Sequence, residues 1–166
     1  MKNNTDIKKV AVNTFELEAK NILALSERID DDFVKVVESI LSLNGRVIIT
    51  GIGKSAIIAQ KIVATLNSTG TPSIFMHAAD AIHGDLGIIQ QEDLIIAISK
   101  SGNTPEIKVL VPFLKQTNNK LVAIVGNRNS FLAEQADYIL DTTITREACP
   151  NNLAPTTSTT VQLAMG

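Results

Sequence analysis

Four polar segments of this 166-residue chain carry side chains whose types and spacing suit chemistry. The first, GIGKS (51–55), puts Gly51 and Gly53 in a tight turn before a helix, where freed N–H groups hold an anion and Lys54 adds a point charge. Gly53 is the anion-binding candidate there. An NTP-binding loop of the G-x-x-x-x-G-K-S kind is excluded, because Ile48 stands where that pattern needs glycine. A dinucleotide pattern G-x-G-x-x-A fits with Ala56 last, but the acidic residue expected about 20 positions on is missing from the second strand. A nicotinamide enzyme is thereby weakened, and a plain strand–helix turn is the bland alternative.

The second segment, SKSGNTPE (99–106), is more specific. Ser99, Ser101 and Thr104 offer three hydroxyls around Gly102 and Asn103, just before a helix. Thr104 is the expected N-cap and Pro105 the first-turn residue. Hydroxyls and free N–H groups at a helix start suit a phosphate monoester. Glu106 points a carboxylate into the same turn, which makes sense if it does chemistry or binds sugar hydroxyls. In the third segment, HAADAIHGDLG (77–87), the spacing of His77 and His83 does not match the i, i+4 pair of a helical zinc site. His83 is the candidate for acid–base work near neutrality, and His77 for a structural role. No metal is expected. In the fourth, REACPNNLAPTTSTT (146–160), a carboxylate in a partly desolvated pocket would have a raised pKa, which makes Glu147 a candidate proton shuttle. Cys149 has no readable activating partner, and the hydroxyls of 156–160 cap a helix start or add donors.

These segments need a scaffold, and the rest of the chain reads as one. RVIIT (46–50), SIFM (73–76), LIIAIS (94–99), LVAIVG (121–126) and YILD (138–141) are short aliphatic runs mostly without polar alternation. They read as strands covered on both faces. Helical stretches lie between them near 55–67, 105–117 and 130–136, and a last helix starts near Pro155 or Thr156. Such alternation means a parallel sheet wrapped by helices, and ligands of such sheets sit beyond the carboxyl ends of the strands. All four polar segments fall there. Ile107, Leu110, Val111 and Leu114 give the 105–117 helix its buried stripe, with a kink expected at Pro112. Residues 5–29 read as one helix with Ile7, Ala11, Phe15, Ile22, Leu25 and Ile29 on its apolar face and Glu18 as the interruption. A second helix follows the acidic cap at Asp30 to Asp32 and ends at Asn44–Gly45.

Composition bounds the function. Hydrophobic residues make up 45%, enough for a core, and 15 basic against 17 acidic residues give a net charge of −2. That balance gives no electrostatic footprint for nucleic acid or an acidic membrane surface. A single cysteine excludes an intrachain disulfide framework. The apolar runs are far shorter than the roughly 20 residues of a membrane helix, and no signal peptide is readable behind the N-terminal lysines. A soluble cytoplasmic protein is the expectation.

Taken in order, GIGKS, STGTPS (68–73), AIHGDLG (81–87), AISKSGNTPEI (97–107), REACPNNLAPTTSTT and the final AMG resemble the sugar isomerase (SIS) domain family, and within it the arabinose-5-phosphate isomerases. The match runs from about residue 45 to the end, and the EACP…LAPTTSTT segment is its most specific part. The resemblance implies an α/β fold: a five-stranded parallel sheet in a doubly wound αβα sandwich. It implies one SIS domain over 1–166, with a helical N-terminal segment to about 43 and a core from about 45; the sequence departs from the many relatives that continue into paired CBS domains, none of which is read here. It implies interconversion of D-ribulose 5-phosphate and D-arabinose 5-phosphate for synthesis of 3-deoxy-D-manno-octulosonate (Kdo), destined for lipopolysaccharide or capsule. No cofactor is implied, and neither nucleic acid nor membrane is a partner; a tetramer with sites between subunits is. The implied catalytic set is Lys54, His83, Glu106 and Glu147, with Glu147 as the base and the loop 99–104 and Ser55 holding phosphate. A further catalytic histidine is implied beyond Gly166. A sugar-phosphate sensor on the same fold, or an isomerase of another ketose phosphate, remains the alternative.

Overall fold

The computed structural model describes residues 4–166, and side chains from residue 6 onward. The first of the lysine-bearing N-terminal residues read for a leader lie outside that range. Five strands, β1 (Val47–Gly51), β2 (Ser73–His77), β3 (Leu94–Ser99), β4 (Leu121–Val125) and β5 (Tyr138–Asp141), form one parallel sheet in the order β2-β1-β3-β4-β5. The registers pair Gly51 with Ile98 and Ser99 with Val125, so the loops after β1 and β3 leave the sheet side by side. The order reverses between β1 and β3, which opens a crevice at their carboxyl ends.

Helices cover both faces. Residues Ile48, Ile95, Ala97 and Ala123 pack beneath α4 (Ala78–Ala81), α5 (Pro105–Gln116) and α6 (Phe131–Gln135). On the opposite face Ile49, Ile96, Ile98 and Ile124 pack against α2 (Asp31–Leu41), α3 (Lys54–Ser68) and α7 (Thr157–Met165). Alternate residues of one strand thus feed two cores, which is why the strands read as unbroken aliphatic runs. The doubly wound αβα sandwich is therefore as expected. Asp30 caps α2 by accepting from the N–H groups of Asp32 and Phe33, but α2 ends at Leu41 rather than at Asn44–Gly45.

One local expectation fails. Helix α1 (Asn4–Leu23) stops short and gives way to a 3₁₀ turn over Ala24–Arg28. Most of its predicted apolar stripe points away from the body: Ile7, Phe15 and Ile22 are exposed, Phe15 by 74%, whereas Leu25, on the 3₁₀ turn, is buried as expected. The inward face holds Leu17, Glu18 and Asn21 instead. Asn21 accepts from the Thr145 N–H, and Glu18 accepts from the Thr160 hydroxyl of α7. Polar partners on α7 and the 143–146 segment decide which side faces in, against the hydrophobic pattern. Helix α5 carries Pro112 inside it and runs to Gln116. Its four predicted apolar residues are all buried.

Candidate active site

Three helices begin around the crevice, and their sequences decide how each start is satisfied. Helix α3 starts after Gly53, which takes φ +59°, a conformation that favours glycine, and has no side chain to cap the N–H groups behind it. Helix α5 starts at Pro105, and the Thr104 side chain makes no cap; its hydroxyl is buried without a partner. The expected N-cap hydrogen bond is thus absent, although Thr104 is among the residues that line the crevice. Helix α7 is different: its first N–H groups are already taken by a carboxylate from outside the helix.

That carboxylate is Glu147. Its Oε2 accepts from the N–H groups of Thr156 at 2.9 Å and Ser158 at 3.0 Å and from the Thr156 hydroxyl at 3.2 Å. Its Oε1 accepts from the Ser158 hydroxyl at 2.5 Å and from Lys100 Nζ at 2.7 Å. The Glu147 side chain is 0% exposed. Burial alone would push its pKa up, but Lys100, then Ser158 and Thr156, bring it down to about 2. The expected raised value is therefore overturned. A carboxylate fully satisfied by donors, and held ionised, is a poor proton shuttle; it holds the α7 start instead.

A cavity of about 230 Å³ lies between these helix starts. Lys54, Ser55, Ser99, Ser101 and Thr104 line it, five of the residues singled out in the sequence. Ser158 and Thr159, from the 156–160 hydroxyls expected to cap or add donors, also line it, as do Lys100 and Gln162, which the sequence did not single out. Ser55 donates to Gln162 Oε1 at 3.2 Å, which ties α3 to α7. Two uncapped helix starts, two ammonium groups and several hydroxyls converge here, a setting for an anion.

The other candidates lie elsewhere. Gly102 has φ +64°, and a Cβ on it would meet Ser130 Oγ at 2.0 Å, so its role is to let the loop pass beneath α6. Asn103 accepts from the Phe131 N–H at 3.1 Å, a structural tie rather than a ligand contact. The Ser99 hydroxyl accepts from the Gly102 N–H at 3.1 Å and that of Ser101 from the Asn103 N–H at 3.2 Å, so both also brace the loop. Glu106 is half-buried in the first turn of α5, and His83 is exposed after α4; neither lines the cavity. Segment 77–87 is not all loop, since it forms α4 and a 3₁₀ turn over Asp85–Ile88. His77 Nδ1 lies 3.7 Å from Asp80 and packs edge-on to Phe75. Cys149 does have activating neighbours: hydrogen bonds from the backbone of Ala154, then Leu153 and Asn151, lower its thiol pKa. Among the described residues no three His, Cys, Asp or Glu side chains gather as a metal site, and no helix is long and apolar enough to cross a membrane.

Residues 40–166 match the SIS domain. The chain is 48% identical over 166 residues to arabinose 5-phosphate isomerase KdsD of Pseudomonas aeruginosa, covering 100% of this chain and 51% of that protein. It is 49% identical over 154 residues to arabinose 5-phosphate isomerase KpsF of Escherichia coli, covering 92% of this chain and 49% of that one. The chain therefore spans about half the length of these relatives. Among solved structures, an E. coli CFT073 protein in complex with arabinose 5-phosphate superposes with a TM-score of 0.88 at 39% identity, over 97% of this chain and 86% of that one.

Proposed function

The chain belongs to the SIS domain family, and on that premise we propose that it is an aldose–ketose isomerase interconverting D-ribulose 5-phosphate and D-arabinose 5-phosphate. The observation that carries the reading is the cavity itself, where the uncapped starts of α3 and α5 meet Lys54 and the unpartnered Thr104 hydroxyl. The names of the relatives and the sugar-phosphate complex of the structural neighbour support the choice of substrate.

The phosphate sits in the cavity, held by Ser55, Ser99, Ser101 and Thr104, and the sugar extends to the rim. A base takes the proton from C2 of the aldose. The C2–H electron pair becomes the C1=C2 bond, and the former carbonyl oxygen gains a proton. The reverse movement, with the proton returned to C1 and the O2 proton removed, gives the ketose. Lys54 stabilises the charge on the enediolate oxygens. Glu106, in the first turn of α5, is the carboxylate left for the transfer, because Glu147 is sealed behind the wall. Glu147 serves as an ionised buttress for Lys100 and α7. His83 acts from its exposed loop on the site of a neighbouring copy, within a homo-oligomer taken to be a tetramer. The bare apolar stripe of α1 supports association of copies. The chain acts as one SIS domain, in the cytoplasm, on the route to Kdo for lipopolysaccharide or capsule.

Proton NMR of arabinose 5-phosphate in D₂O tests this. Conversion with deuterium entering at C1 of the ketose and, on reversal, at C2 of the aldose, lost in Glu106→Gln, is the expected result. Full turnover in that variant removes Glu106 from the mechanism. The placement of Glu106 and His83 outside the cavity favours one rival, a sugar-phosphate sensor, and saturable binding without conversion would select it.

A further inference from the structure

Lys100 sits between the two loop serines and faces two ways. Its backbone oxygen accepts from the Gly126 N–H at 3.0 Å, which fixes the main chain. Its side chain lines the cavity, is 45% exposed, and ends 2.7 Å from Glu147 Oε1. Glu147 would keep the Ser158 and Thr156 donors if the ammonium moved. The other charges nearby do not compete for that carboxylate. Arg146 donates to the Glu147 backbone oxygen at 3.4 Å, and Lys54 stands on the α3 side of the cavity. A lysine on a flexible stem with three donors can serve two anions at once.

We infer that Lys100 is a positioning residue that couples occupancy of the β3 loop to the buried carboxylate of Glu147, as a cation shared between that carboxylate behind the wall and a phosphate monoester in front of it. The inference rests on the proposed function only in taking the cavity as a phosphate seat. Linkage makes the coupling reciprocal: whatever Glu147 does to phosphate affinity, phosphate does to the Glu147–Lys100 pair. Removing the carboxylate therefore frees Lys100 for phosphate, whereas removing Lys100 weakens it.

The opposite signs give the test. Inorganic phosphate is titrated at pH 8, followed by phosphorus NMR and calorimetry, into the wild type, K100M, K100R, E147Q and the K100M/E147Q double variant. K100M binds about tenfold more weakly, K100R stays near the wild type, and E147Q binds a few-fold more tightly. The double variant matches K100M. A merely structural Glu147 predicts that E147Q weakens binding as K100M does, and that result overturns the inference. Should E147Q fail to fold, the Lys100 Nζ nitrogen signal, assigned from K100R, replaces it; a signal unmoved by saturating phosphate overturns the inference. Equal affinity in every variant overturns the coupling alone, whereas no binding in any of them overturns the phosphate seat as well.

Discussion

The sheet carries a buried carboxylate at each end, and the two are built differently. At the amino end Asp93, just before β3, accepts from the Arg46 N–H and from Arg46 Nη2, both at 2.8 Å, and from the Gln90 N–H at 2.8 Å. At the carboxyl end Glu147 takes Lys100 and the start of α7. Both side chains are 0% exposed, and in both burial raises the pKa while the partners more than reverse it. The cations separate the cases. Arg46 is a planar fork also anchored to the Ile88 oxygen at 2.8 Å, whereas Lys100 is a point charge on a flexible stem beside a cavity. One pair clamps the chain; the other is built to be exchanged.

The comparison breaks most visibly at its rigid end. Asp93→Ala strands Arg46 and two backbone N–H groups, and is expected to cost about 3–5 kcal/mol in urea denaturation. Phosphate binding per folded molecule should not change; if it does, the two ends are not separable. Within the loop, Gly102→Ala forces φ +64° and a clash with Ser130, and should cost about 1–3 kcal/mol. Gly53→Ala, at φ +59° with open space around it, should cost nearer 1 kcal/mol. Equal losses would show that strain alone, not the packing beneath α6, sets the loop.

The pH dependence sharpens the carboxyl end. Glu147 titrates at about 2 when folded against an ordinary 4.5. Its folded value is the lower one, so its stabilisation is complete above about pH 4.5 and is lost as pH falls towards 2. Lys100→Met raises the folded value and narrows that window, so its stability falls less steeply than the wild type's between those pH values. Identical slopes in denaturation series would deny Lys100 its hold on the carboxylate. The smallest effect on stability belongs to Thr104→Val, within about 0.5 kcal/mol of the wild type. That hydroxyl has no partner to lose. Phosphate affinity should nonetheless fall, and a variant that keeps full affinity would show the hydroxyl to be idle.

The sheet and its two-faced burial were legible because every strand is a short aliphatic run with helices between. The loop hydroxyls and Lys54 were legible too, since glycine and a helix start mark them locally. Lys100 was not: its meaning comes from Glu147, far along the chain, and a lysine between two serines carries no local signal. Glu147 was found, but the direction of its pKa was not legible, because its donors Lys100, Ser158 and Thr156 are brought to it by the fold. The inward face of α1 was misread for a related reason, as Asn21 and Glu18 find polar partners that periodicity cannot foresee.

The strand order has a consequence in time. Strand β1 pairs with β2 on one side, but its other edge waits for β3, with Val47 meeting Leu94. At 5–20 residues per second of synthesis, the bare edge VIITG stands open for roughly 2–10 s before its partner exists. Largely aliphatic and uncharged, it is then a template for pairing with another nascent chain. The strand that later carries one loop of the cavity is thus a hazard at birth, and a slow codon stretch before Ser99 would lengthen its exposure.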